Sequence, residues 1–353
     1  MLRLKLIYAG VALAGVCTTM QAQTVLALPE VSQKAIVSQR IGLTDITIVY
    51  HRPLVAGRKL WGGIVPYGDV WRAGANENTT IEFSSPVAVE GKPLAKGVYG
   101  LHMIPGPDSF TVIFSKANTS WGSFSYDEKE DALRVTVKPQ PAENHEALTY
   151  DFDTVKPDSA VIKLEWEKLA VPFTVSANET DVTLASMRLE LRSGKQYAWE
   201  GYAEAANYCL LKHVALEEGL AWADKSIAAE ERFDNVILKS ELLKALNHST
   251  EATAAREKAL SMGNPTQIYF YARQLQALHQ QSEAMNVFRL TQKRFPDHWL
   301  AHMAAVRLAS ASGDFAAALR ELKIVQGMDV PAAQKVNLVT LTRRLENKED
   351  INQ

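Results

Sequence analysis

Cysteine is nearly missing from this chain of 353 residues, which has only Cys17 and Cys209. A disulfide-stapled scaffold is excluded, so stability must come from packed cores. Charge of one sign is missing too. Lysine and arginine number 38 against 40 aspartates and glutamates, with no basic run, which argues against a nucleic-acid partner. Beyond the N-terminus there is no apolar run long enough for a transmembrane span. No phosphate-binding glycine loop, CxxC pair or serine-nucleophile elbow occurs, so the sequence announces no cofactor. What is present is ordinary globular composition, 47% hydrophobic and 22% charged, in a chain long enough for two cores.

The first residues have the three-part plan of a secretory signal. Arg3 and Lys5 precede an apolar run from Leu6 to Val16, then a short stretch with small residues ends near Ala22 or Gln23. Residues 1–23 are therefore expected to be removed on export, leaving a periplasmic or outer-envelope protein. In Ala14-Gly15-Val16-Cys17 the residue before cysteine is valine, a departure from the lipoprotein pattern, so ordinary cleavage is preferred to a lipid anchor at Cys17. Cys209, then alone in an apolar helical stretch, is expected to be a buried inert thiol.

Two periodicities divide the rest. From about Ile41 to Val175 short runs alternate with period two: Asp45–His51, Thr80–Phe83, Val98–Ile104, Phe110–Phe114, Leu133–Val137, Leu148–Phe152, Ala160–Trp166 and Val171–Val175. Glycine and proline turns such as Glu90-Gly91-Lys92-Pro93 separate them, which predicts an antiparallel β-sandwich over residues 24–177. After Asn178 the period becomes 3.6. Gly219, Ala252, Ala284 and Ala318 recur at spacings of 33, 32 and 34 residues, the helix-turn-helix period of a tetratricopeptide array. The clearest unit spans Ile268 to Pro296, preceded by Asn264-Pro265-Thr266-Gln267, which has the form of a helix cap with a capping box. The fold class is thus α+β: a β-sandwich followed by an all-α tetratricopeptide-like domain over residues 178–353.

One stretch fits neither period. His51 to Thr80 connects two strands and is far longer than a usual sandwich connection. Its aromatics Trp61, Tyr67 and Trp71 should anchor it. With Arg52, Arg58, Arg72, Asn76 and Glu77 these three make the eight-residue candidate ligand-binding set, with a small carbohydrate or an anion as ligand; Lys59 and Asn78 are further polar groups of the connection that could converge there. The competing reading is structural, an Arg72–Glu77 ion pair that pins the loop.

The same residues carry a resemblance. His51-Arg-Pro, Gly57-Arg-Lys, Gly62-Gly-Ile-Val-Pro-Tyr-Gly68 and Val70-Trp-Arg-Ala-Gly-Ala-Asn-Glu77 resemble the signature of the bacterial domain of unknown function 2911. Gly91-Lys-Pro-Leu-Ala-Lys-Gly-Val-Tyr-Gly100, Trp121-Gly-Ser-Phe-Ser-Tyr-Asp127 and Leu133-Arg-Val-Thr-Val-Lys-Pro139 continue it, from roughly Leu28 to Val175. The resemblance implies an exported protein of Bacteroidetes-like bacteria with a helical C-terminal extension and no assigned activity. Many members carry serine where this chain has His51.

For catalysis the best acid–base set is Glu77 with His51 or His102. His298 and His302, at i and i+4, lack the glutamate that follows the first histidine of zinc proteases and read as a cap and a packing residue, so no metal is expected. The preferred function is a non-enzymatic module that binds a ligand, or a protein or peptide on the helical repeats. The alternative is an envelope hydrolase.

Overall fold

The computed structural model describes residues 29–352; the expected secretory segment and Cys17 lie outside the described residues. The chain forms two compact units, one ending at Val182 and the other beginning at Thr183.

In the first unit ten strands form two antiparallel sheets. The strands are β1 (Gln33–Ile41), β2 (Thr44–Arg52), β3 (Thr80–Phe83), β4 (Val87–Val89), β5 (Lys92–Leu94), β6 (Gly97–Ile104), β7 (Phe110–Ser115), β8 (Asp131–Val137), β9 (Gln140–Val155) and β10 (Ser159–Ser176). One sheet has the order β1-β2-β3-β6-β7-β8 and the other β5-β4-β10-β9. Both contribute to a single hydrophobic core, to which β2 gives Ile46, Ile48 and Tyr50 and β10 gives Ile162, Leu164 and Phe173. The pleat explains the choice, because every second residue of a strand faces the same side.

Two of the expected strands are one. β10 buries Ala160, Ile162, Leu164 and Trp166, then Val171, Phe173 and Val175, so its inward phase changes from even to odd positions. The change is made at Glu167, which has a left-handed φ of 57°, between register shifts against β9. A bulge is the only way a single strand can keep both apolar runs facing one core.

The long connection from β2 to β3 is ordered by backbone pairing and by aromatic packing. Trp71 and Met103 exchange two backbone hydrogen bonds of 2.8 Å. The Trp71 ring stacks on Trp166 at 5.9 Å, and Trp61 meets Trp71, Phe110 and Trp166 edge-on. Gly62 has a φ of 67°, and a Cβ there would come within 2.8 Å of the Tyr67 ring, so this turn requires glycine.

The second unit is helical: α1 (Glu179–Glu190), α2 (Trp199–Lys212), α3 (Leu216–Ala229), α4 (Phe233–Ala245), α5 (Ser249–Met262), α6 (Pro265–Ala277), α7 (Gln281–Arg294), α8 (Trp299–Ala311), α9 (Phe315–Gln326) and α10 (Ala332–Glu346). Consecutive helices pack as hairpins α2/α3, α4/α5, α6/α7 and α8/α9, with α10 on α9. Gly219, Ala252, Ala284 and Ala318 are each the fourth residue of the second helix of a hairpin, and all are buried. Small residues there let the two helices approach. At Gly219 a Cβ would lie 2.7 Å from the Cβ of Cys209. The start of α6 has the expected cap: Gln267 N–H donates to Asn264 Oδ1 at 2.9 Å, and Asn264 N–H donates to Gln267 Oε1 at 3.1 Å. No helix among the described residues is long and apolar enough to cross a membrane.

Candidate functional site

In the sheet domain a polar cavity of about 670 Å³ opens beside β2 and the end of the long connection. Its chemistry is concentrated in Glu30, His51, Glu77 and Asn78. His51 sits near the end of β2, and Val49, two residues earlier on the same side of the strand, also lines the cavity. The His51 side chain is 8% exposed, and its Nε2 lies 3.2 Å from Glu30 Oε2 and 3.4 Å from Glu77 Oε2. Its Nδ1 is buried without a hydrogen-bond partner. Among the described residues, these three side chains are the group whose ligand atoms all lie within 4.8 Å of one another.

Asn76 and Asn78 have different roles. Asn76, at a left-handed φ of 57°, donates from Nδ2 to Glu30 Oε2 at 2.8 Å and to the Ser32 carbonyl at 3.2 Å, tying the segment before β1 to the connection. Asn78 is buried, yet neither its amide nitrogen nor its amide oxygen has a partner. A buried amide left unpaired is costly, and this one lies against Gly100 of β6 and not open to the cavity.

The eight residues expected to form a ligand site do not converge. Arg52 donates to the Leu148 carbonyl and to Thr149 Oγ1, which ties the end of β2 to β9. Arg58 caps its own turn through the carbonyls of Val55 and Leu54. Trp61 and Trp71 are half-buried in the aromatic cluster, where they anchor the connection and present no open face to a ligand. Tyr67 covers Gly62. Arg72 lies over the exposed Trp121 ring at 5.6 Å, not against Glu77, and its Nε is buried without a partner. With Arg58 and Trp71 it lines a separate cavity of about 580 Å³. Only Asn76 and Glu77 of the eight belong to the Glu30–His51 cluster.

Of the two candidate histidines, His51 reaches Glu77 and His102 does not. His102 is buried, with Nδ1 3.0 Å from Ser123 Oγ and its ring against Tyr126, and burial pushes its pKa down to about 4. Glu30 is the member of the cluster to which nothing in the sequence points. Glu30 precedes the first strand, and no spacing links it to residues of the connection.

A second surface lies on the helical unit. The first helices of successive hairpins, α2, α4 and α6, line a groove of about 440 Å³, and α6, α8 and α10 line another of about 430 Å³. Phe270, 48% exposed, lines both. The first groove carries Asp234 and Glu241; the second carries Arg273, Arg307 and Arg344 beside Tyr269 and Trp299. Burial and the neighbouring Arg307 lower the pKa of Arg273. Arg307 is 6% exposed and is held by Tyr269 Oη and the Ile351 carbonyl. Among the described residues no carboxylate pairs with Arg273 or Arg307.

The remaining candidates are structural. His298 Nδ1 accepts from the Leu300 N–H at the start of α8, and His302 pairs with Glu321 at 2.7 Å, so the two do not share a site. Cys209 is buried, and its thiol is pushed up to about 11 by burial.

Residues 32–175 match the model of a family described as "Protein of unknown function (DUF2911)". No curated protein matches the chain. Among solved structures, YrrB, described as a TPR protein with an unusual peptide-binding site, is 18% identical with a TM-score of 0.26, over 47% of this chain and 86% of its own. A tetratricopeptide repeat protein from Parabacteroides merdae ATCC 43184 is 13% identical with a TM-score of 0.31, over 48% of this chain and 65% of its own. Similarity of that degree carries no argument; the repeat architecture rests on the helix pairs of this chain.

Proposed function

We propose, from a chain whose residues 32–175 match the DUF2911 family model with no chemistry in its description, that the protein is an exported, non-enzymatic binding protein whose helical half holds an extended segment of a partner protein. The observation that carries this reading is Phe270, a half-exposed aromatic where two grooves meet on the face built by the first helices of the hairpins. Exposed aromatics flanked by charge are the usual anchors of an interface. The charges give the segment a direction: a basic group toward Asp234 and Glu241, an apolar side chain on Phe270, and a carboxylate toward Arg273 and Arg307. A guanidinium without a counter-ion gains most from a partner that brings one.

The test is binding of a library of extended peptides with free C-terminal carboxylates, and of the same peptides amidated, measured by fluorescence anisotropy. Peptides with an apolar residue upstream of an acidic end are expected to bind, with affinity lost in Phe270→Ala and in Arg273→Gln. Binding that is indifferent to both substitutions would sink the reading. Export is tested separately, by sequencing the N-terminus of the mature protein, which is expected near Gln23 or Thr24.

The alternative, a hydrolase, has one observation in its favour, the approach of Glu77 to His51. Turnover of ester or peptide substrates that disappears in Glu77→Gln would establish it.

A further inference from the structure

The Glu30–His51–Glu77 cluster belongs to the sheet domain and is independent of the peptide reading. Its geometry poses a question of charge. Two carboxylate oxygens converge on one imidazole nitrogen at 3.2 and 3.4 Å. A neutral ring has one Nε2–H to offer and cannot satisfy both. Glu30 is moreover held in position: Asn76 clamps its carboxylate to the connection and bonds the Ser32 carbonyl as well. A contact between two surface acids and a histidine would not require that clamp.

We propose that Glu30, His51 and Glu77 bind one divalent transition-metal cation of the zinc class, through Glu30 Oε2, His51 Nε2 and Glu77 Oε2, with a coordination position left open toward the cavity. Two observations support it. Tetrahedral zinc with bonds of about 2.0–2.1 Å to nitrogen and oxygen holds neighbouring ligand atoms roughly 3.3–3.4 Å apart, and the two measured separations bracket that distance. The donor set is one imidazole and two carboxylates, which suits zinc or manganese and supplies the negative charge a divalent ion needs.

The competing account is a protonated His51 that pairs with both glutamates and binds no metal. Nδ1 does not choose between the two, since it carries a hydrogen in the protonated ring and in the cation-bound ring alike. Zinc uptake does choose, because a cation on Nε2 takes the place of the proton that the ion pair needs.

The test is isothermal titration of zinc into the metal-free, untagged full-length chain at pH 7.5, for wild type, Glu77→Gln, Glu30→Gln and, as a control on the helical half, His302→Ala. The Glu77 and Glu30 side chains are 59% and 48% exposed, so glutamine removes charge without threatening the fold, which circular dichroism checks. One zinc per chain is expected, weakened at least about tenfold by either glutamine and unaffected by His302→Ala. Anomalous diffraction at the zinc edge should place the ion between the three side chains. Absence of zinc uptake, or equal uptake by wild type and Glu77→Gln, overturns the proposal. So does loss of uptake in His302→Ala alone.

Discussion

Burial decides the charge state of His102. The ring is 2% exposed, and the loss of hydration pushes its pKa from 6.5 to about 4, with Asp131 only partly opposing the shift. The folded state therefore favours the neutral ring, and the unfolded chain binds one more proton between those values. Stability linked to His102 is fully present above pH 6.5 and is lost as the pH falls toward 4, by up to roughly 3 kcal/mol. Urea unfolding at pH 7.5, 5.5 and 4.5 checks this: the decline should be shallower in His102→Gln, and an identical decline in both proteins would assign it to other groups. Gly219 gives a steric counterpart. An added Cβ would meet the Cβ of Cys209 at 2.7 Å inside a buried helix pair, so the intrinsic helical advantage of alanine is overturned. Gly219→Ala is expected to destabilise the helical unit by about 1–3 kcal/mol, read as a lower thermal midpoint.

At the scale of elements, legibility followed the strength of the local signal. The cap of α6 could be read from four consecutive residues because a capping box is a local device. Asn264→Ala removes one acceptor and leaves an N–H without its partner, so it should cost about 1 kcal/mol by denaturant unfolding; no change would mean that the helix end is held by tertiary packing alone. The repeat was legible for a similar reason, since the close approach of paired helices demands a small residue at one position per hairpin. Strands were less legible where their meaning is not local. β10 reads as two strands because its apolar phase changes at Glu167, and only the paired register against β9 makes it continuous. β1 went unread because it is an edge strand whose residues are mostly exposed or half-buried, and β4 and β5 are too short to alternate. Within the long connection Trp61 and Trp71 are the anchors expected of them, whereas Tyr67 is 46% exposed and lies only over Gly62. The arginines of the connection were not assignable, because Arg52 and Arg58 spend their hydrogen bonds on carbonyls whose positions are set by the fold.

At the scale of the whole molecule, the candidate cluster shows why a site is harder to read than a fold. His51 and Glu77 were both singled out, but their meeting depends on a connection folding back upon the strand it leaves, and Glu30 joins them from outside that connection. Domain organisation is the opposite case, because it follows from bulk periodicity. The core of the sheet unit includes residues up to Ala177, and that of the first helices begins at Leu184, so each half buries its own apolar residues. A domain with its own core can fold alone. Fragments spanning residues 29–177 and 178–352 are therefore each expected to unfold cooperatively in calorimetry. The helical half has two core clusters, one over α1 to α4 and one from α4 onward, with Ile227 of α3 packed against the second, so they meet at α3 and α4. Stability in such an array is a sum of neighbour terms, so the second fragment should lose hydrogen-exchange protection in α2 and α3 at lower denaturant than in α6 to α8, or the reverse. Protection lost at a single denaturant concentration throughout would show instead that α3 and α4 couple the two clusters into one unit, and a broad, non-cooperative transition in the sheet fragment would show that its core is incomplete without the helices.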